Sequence, residues 1–181
     1  MQASLTDQKI LGYLGRALSL ELSAVQLYST QSRLVANWGL QKVAEKFKAE
    51  AHEELEHAER IIARMLALGA APNASQLRPV RLGPDLLSLL SIDKEFETEL
   101  VKLYHDAVMF CSSYQRHDDR VLFEGLLKEE QQHAADLEQQ FELRPMIPFG
   151  CAPRFPWHGD PASLSTDHPE NVGVQERSYI N

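Results

Sequence analysis

One spacing occurs twice in this chain. Glu21 is followed by Tyr28 and then, 33 residues after the glutamate, by Glu54-Leu55-Glu56-His57. Glu97 is followed by Tyr104 and, again 33 residues on, by Glu130-Gln131-Gln132-His133. With 17 glutamates and 7 histidines in 181 residues, chance supplies roughly one Glu-x-x-His pair, so a single pair carries no weight. Two pairs, each with glutamate and tyrosine at the same upstream offsets, are the trace of a duplicated unit.

Apolar residues around these motifs recur at three- and four-residue steps. The stripes read Ile10, Leu14, Ala17, Glu21, Ala24, Tyr28, then Leu40, Val43, Phe47, Ala51, Glu54, Ala58, Ile61, Met65. They continue as Leu86, Leu90, Asp93, Glu97, Leu100, Tyr104, Val108, Cys111, and as Phe123, Leu126, Glu130, His133, Leu137, Phe141. This period predicts four amphipathic helices and no strands. The first is expected to run from an N-cap at Thr6 to about Val35, broken by Asn37-Trp38-Gly39. The second runs from Leu40 to Leu68 and stops at Gly69. The third takes Pro84 into its first turn and runs to about Tyr114. After a turn near 116–118, the fourth ends before Pro145.

Loop lengths choose the topology. Helices of this size are roughly 45 Å long at 1.5 Å per residue. Short turns join the first to the second and the third to the fourth, which makes each pair an antiparallel hairpin. The stretch from Gly69 to Gly83, with Pro72 and Pro79, can reach roughly 50 Å when extended, enough to run along the bundle. The expected fold over 1–143 is therefore an all-α, ferritin-like four-helix bundle with one long crossover. Residues 144–181 hold six of the nine prolines and read as an irregular C-terminal tail. Phe149, Phe155 and Trp157 within it are expected to pack at a subunit interface.

Every stripe places a glutamate at a core position near the middle of its helix. Glu45, Glu56, Glu59, Glu95, Glu138 and Glu142 fall instead on solvated faces. Burying a bare carboxylate is costly, so Glu21, Glu54, Glu97 and Glu130 must take up protons, form ion pairs or bind cations. Two divalent ions would balance four carboxylates. Residues i and i+3 share a helix face, so Glu54 can bridge two metals while His57 binds one, with Glu130 and His133 as the mirror. Mixed carboxylate and imidazole ligation suits iron or manganese, whereas a structural zinc site would use cysteine and one ion.

Other features narrow the class. A net charge of −8 argues against a nucleic-acid partner. No window approaches the ~20 apolar residues of a membrane span, and the N-terminus does not read as a signal peptide. Cys111 and Cys151, without a Cys-x-x-Cys, suit a reducing cytoplasm and exclude a cysteine-ligated iron centre. Cys151, His158 and His168 lack ligand spacing.

The residues up to about 143 resemble the bacterioferritins. The resemblance is carried by Leu20-Glu21-Leu22-Ser23-Ala24-Val25-Gln26-Leu27-Tyr28, Asn37-Trp38-Gly39-Leu40, Glu54-x-x-His57-Ala58, Pro72-Asn73 and above all the second Glu-x-x-His. It implies that Glu54 and Glu130 bridge two iron ions, that Glu21 and His57 complete one, and that Glu97 and His133 complete the other. Tyr28 would stand behind the ligands. The implied activity is a ferroxidase that oxidises two Fe(II) per chain with dioxygen or peroxide and stores Fe(III) in a cage. Three departures modify this. The family's haem-ligating methionine is replaced by Leu55, so no haem is expected. Ala49 stands where some members carry a histidine of an inner-surface iron site, and His52 nearby reads as a surface residue. The tail replaces the short helix by which the family closes its 24-subunit cage; a homo-oligomer of at least a dimer is expected, with a cage left open. Two alternatives remain: a di-iron or di-manganese oxidase, peroxidase or catalase that stores nothing, and a non-catalytic shell subunit partnering a haem-binding homologue.

Overall fold

The computed structural model describes residues 4–74 and 76–142. Within them the chain forms α1 Leu5–Asn37, α2 Gln41–Ala67, α3 Leu86–Ser113 and α4 His117–Glu142, with no strand. The expectations for the tail, with Phe149, Cys151, Phe155, Trp157, His158 and His168, and for the side chains of Phe141 and Glu142, lie outside the described residues.

Two helix starts differ from the sequence reading. The N-cap of α1 is Ser4, not Thr6: Ser4 Oγ accepts the Asp7 N–H at 3.1 Å, and Asp7 Oδ2 accepts the Ser4 N–H at 3.1 Å. A cap at Thr6 would put Lys9 at the reciprocal position, where it has no acceptor to offer. In α3 the cap is Asp85, whose Oδ1 accepts the Ser88 N–H at 2.8 Å while Ser88 Oγ accepts the Asp85 N–H at 3.2 Å. Pro84 therefore precedes the cap instead of entering the first turn.

Three helix ends share one geometry. Leu40 N–H donates back to the Val35 carbonyl at 3.0 Å, Ala70 to Met65 at 3.0 Å and Arg116 to Cys111 at 2.9 Å. This closure needs a left-handed residue just past the helix, supplied by Gly39 (φ +83°), Gly69 (φ +73°) and Gln115 (φ +55°).

α1 pairs with α2 and α3 with α4, and the two hairpins meet through α1 against α3 and α2 against α4. α1 and α3 run antiparallel: Asp7 Oδ1 meets Arg116 Nη1 at 2.7 Å at one end, and Gln31 Nε2 donates to Asp93 Oδ1 at 2.7 Å at the other. The crossover lies over these two helices. Arg78 N–H donates to Ser23 Oγ on α1 at 3.0 Å, and the Arg78 guanidinium meets Glu99 on α3 at 2.6 Å. Ile10, Leu14, Leu18, Ile61, Leu89, Leu100, Phe123 and Leu126 are fully buried between the helices. Leu40, Val43, Leu86 and Val108, placed on the stripes by periodicity, lie half-buried against this core. Each large apolar side chain fully buried contributes roughly 1.5–3 kcal/mol, which lets the bundle tolerate ionisable groups at its centre.

Candidate metal centre

Glu21 on α1, Glu54 on α2, Glu97 on α3 and Glu130 on α4 are each 0% exposed. They occupy the middle of the bundle, with His57 and His133 one helical turn past the α2 and α4 glutamates.

The six side chains converge on two points. His57 Nδ1 stands 2.8 Å from Glu130 Oε1, 3.0 Å from Glu54 Oε2 and 3.6 Å from Glu21 Oε2. His133 Nδ1 stands 3.5 Å from Glu54 Oε1 and 3.5 Å from Glu130 Oε2. Glu54 and Glu130 therefore each send one oxygen toward each imidazole. Glu21, Glu54, His57 and Glu130 form one group whose donor atoms all lie within 4.8 Å of one another, and Glu54, Glu97, Glu130 and His133 form a second. None of Glu21 Oε2, Glu97 Oε2, His57 Nδ1, His133 Nδ1 or the four oxygens of Glu54 and Glu130 has a hydrogen-bond partner. Buried polar atoms are seldom left unpaired. Eight of them facing inward in two sets fit two cations with oxygen and imidazole ligands.

The other atoms of these residues are held from outside. Tyr28 Oη donates to Glu97 Oε1 and Tyr104 Oη donates to Glu21 Oε1, each phenol reaching the opposite hairpin. His57 Nε2 lies 3.1 Å from Glu129 Oε2, and His133 Nε2 lies 3.0 Å from Glu53 Oε2. A carboxylate behind each imidazole fixes the ring and leaves Nδ1 as the inward donor. Arg60 grips Glu129 through Nη1 and Nη2, one to each carboxylate oxygen. Outside the two imidazoles a cleft of about 1000 Å³ opens between α2 and α4, with Glu50, Glu53, Glu129 and Asp136 on its walls. His52 is exposed beside Glu56, and Glu45, Glu56, Glu59, Glu95 and Glu138 are exposed as well.

Electrostatics divides the glutamates into pairs. Burial, reinforced by the charges of Glu54 and Glu130, holds Glu21 well above the usual carboxylate range. Burial and the same two charges do this to Glu97. Burial also acts to raise Glu54, but contacts with His133 and His57 outweigh it and bring the group down to about 2; Glu130 is lowered in the same way. Burial alone would depress both histidines. The carboxylates around them win and push His57 and His133 up to about 12. Without metal, two carboxylates face two imidazolium ions, and Glu21 and Glu97 keep their protons.

Sequence reasoning missed Glu53, Glu129 and the Gln31–Asp93 pair, and assigned no contact to Tyr104. A signal for the first two was present, because a second glutamate immediately precedes each Glu-x-x-His, at 53 and at 129.

The bundle and its paired Glu-x-x-His motifs define a ferritin-like protein, and the sequence model of the ferritin-like domain matches residues 11–147. The bacterioferritin of Rhodobacter capsulatus is 37% identical over 137 residues, covering 76% of this chain and 85% of the relative. That of Mycolicibacterium paratuberculosis is 34% identical over 137 residues, covering 76% and 86%. A solved structure of the R. capsulatus protein, described with a metal-free dinuclear site and haem iron in a crystallographic special position, matches with a TM-score of 0.77 at 33% identity. That match covers 88% of this chain and all of the other. The chain belongs to the bacterioferritin family. Among the described residues no helix is long and apolar enough to cross a membrane.

Proposed function

We propose that this chain is a ferroxidase that takes two Fe(II) ions as substrate, oxidises them with dioxygen or peroxide, and passes Fe(III) to storage. The observation that carries the reading is the set of eight inward-facing donor atoms that no hydrogen bond engages, split four and four. Glu54 and Glu130 bridge, Glu21 with His57 completes one position, and Glu97 with His133 completes the other. Tyr28 holds the outer oxygen of Glu97 so that the inner one faces the site. Bound side by side, the two ions supply two electrons to the oxidant. The ligand set offers each ion four protein donors, which leaves room for substrate oxygen. Manganese suits the same donors.

The R. capsulatus relative is described with haem iron. Here Leu55, the residue after Glu54, has no ligating atom and is 39% exposed on α2. We assign the homo-oligomer no haem of its own; haem in a mixed particle would come from a homologous partner subunit. A cytoplasmic homo-oligomer, a dimer at least, is the state in which we expect the protein to act.

The test is aerobic Fe(II) addition to the purified protein. Two ions per chain should be oxidised in a fast phase, and Glu130→Ala should slow that phase by more than the ~10–100-fold typical of outer-shell losses. Glu56→Ala should leave it unchanged. Parental rates in Glu130→Ala would overturn the assignment. Particle mass and retained iron distinguish a storage cage from an oxidase that stores nothing, and an inactive parent would point to a shell subunit.

A further inference from the structure

Glu21 and Glu97 are the only two of the four glutamates with one oxygen engaged and one oxygen free. In both cases the engaged atom is Oε1, the donor is a phenol, and the phenol belongs to the other hairpin. The rings are held alike. Tyr28 stacks on Phe47 of α2 with centroids 6.2 Å apart, and Tyr104 packs on Phe123 of α4 at 6.1 Å. Phe47 and Phe123 are separated by the same 76 positions as Tyr28 and Tyr104. Tyr104 is 0% exposed, so no water competes for its hydroxyl.

We infer that Tyr104 is a positioning residue of the dinuclear site, holding Glu21 so that it offers a metal Oε2 alone. The inference rests on the metal-site reading above and adds a constraint to it. A carboxylate free to rotate can chelate one ion through both oxygens. A phenol donating to Oε1 makes that arrangement lose a hydrogen bond inside the core, where no water can replace the lost partner. One-oxygen ligation by Glu21, matched by Glu97 under Tyr28, keeps one coordination position open on each ion. Each phenol also makes the two hairpins share the site, since neither can set its own terminal glutamate.

The experiment loads full-length parent, Tyr104→Phe, Glu21→Gln and the double variant with Co(II), a redox-inert probe whose visible bands report coordination number. Phenylalanine keeps the ring against Phe123 and removes only the hydroxyl, so the melting temperature should move little. The expected result is one Co(II) of the two bound about tenfold more weakly. Its visible band should also weaken as Glu21 closes on the ion with both oxygens. In the Glu21→Gln background the same tyrosine change should add nothing, because the hydroxyl acts through that carboxylate. Parental affinities and spectrum in Tyr104→Phe would overturn the inference while leaving the dinuclear site intact. A lowered melting temperature with an unaltered Co(II) spectrum would make Tyr104 a packing residue and overturn it too. A parent that fails to bind two Co(II) per chain would remove the site itself and the inference with it.

Discussion

Tyr28 on α1 donates its hydroxyl proton to Oε1 of Glu97 on α3, 69 residues further along the chain and in the other hairpin. Its counterpart, from Tyr104 to Glu21, spans 83 residues in the reverse sense. The two bonds relate the halves of the bundle by an approximate two-fold exchange. They also explain why the duplicated unit carries a tyrosine at all: each half supplies the brace for the other half's terminal glutamate. The site is therefore formed by the docking of the hairpins and is not complete within either.

Metal loading should expel protons. His57 and His133 are pushed up to about 12 by the carboxylates around them, and burial keeps Glu21 and Glu97 protonated. Ligands must lose these protons before they coordinate, so affinity rises with pH. Calorimetric Co(II) titrations at pH 6 and pH 7.5, each in two buffers of different ionisation enthalpy, should show proton release and at least about tenfold tighter binding per pH unit. Affinity independent of pH would contradict the charge pattern described here.

Asp93 should make the metal-free protein less stable at neutral pH than in mild acid. It is fully buried, with Gln31 donating to Oδ1 at 2.7 Å, and burial pushes it up to about 7. The unfolded chain loses this proton near pH 4. Between about 4 and 7 the native state holds a proton that the unfolded state lacks, so stability falls as pH rises through that window, by on the order of 4 kcal/mol in full. Asp93→Asn removes the titration while preserving shape. Its gain in melting temperature over the parent should be larger at pH 8 than at pH 4 by at least about 5 °C; equal gains would refute the assignment.

A second buried acid has a different role. Asp119, 1% exposed, accepts from Arg64 Nε at 2.7 Å and from Arg116 Nε at 2.8 Å, and Arg116 also meets Asp7 at 2.7 Å. This network ties α1, α2 and α4 together at one end of the bundle. Asp119→Ala strands two half-buried guanidinium groups and should cost about 1–3 kcal/mol in chemical denaturation. Glu95→Ala breaks only the exposed pair with Arg81 and should change stability by less than about 0.5 kcal/mol. Equal effects from the two would show that burial at Asp119 does not matter.

Gln115 closes α3 with φ +55°, in the position that Gly39 holds at the end of α1. A side chain there crowds the following carbonyl, at a cost of roughly 1 kcal/mol. Gln115 is exposed, so Gln115→Gly should stabilise the protein by about 0.5–1 kcal/mol with no change in metal binding. A loss of stability would mean that the glutamine side chain contributes contacts outweighing the strain.

The chain by itself determined where the helices lie and which glutamates face inward. Helical period and i, i+3 geometry act over one or two turns, so Glu54 beside His57 and Glu130 beside His133 follow from spacing alone. The duplication then matched one pair to the other. Short-range chemistry misled only where two caps competed: Ser4 with Asp7, and Asp85 with Ser88, each close a reciprocal pair that Thr6 or Pro84 cannot. The partner of each tyrosine and the carboxylate behind each histidine were decided by tertiary structure. The register between α1 and α3 places Tyr28 opposite Glu97, and the register between α2 and α4 places Glu129 behind His57 and Glu53 behind His133. Register between helices is a property of side-chain packing summed over the whole contact, and no local period encodes it.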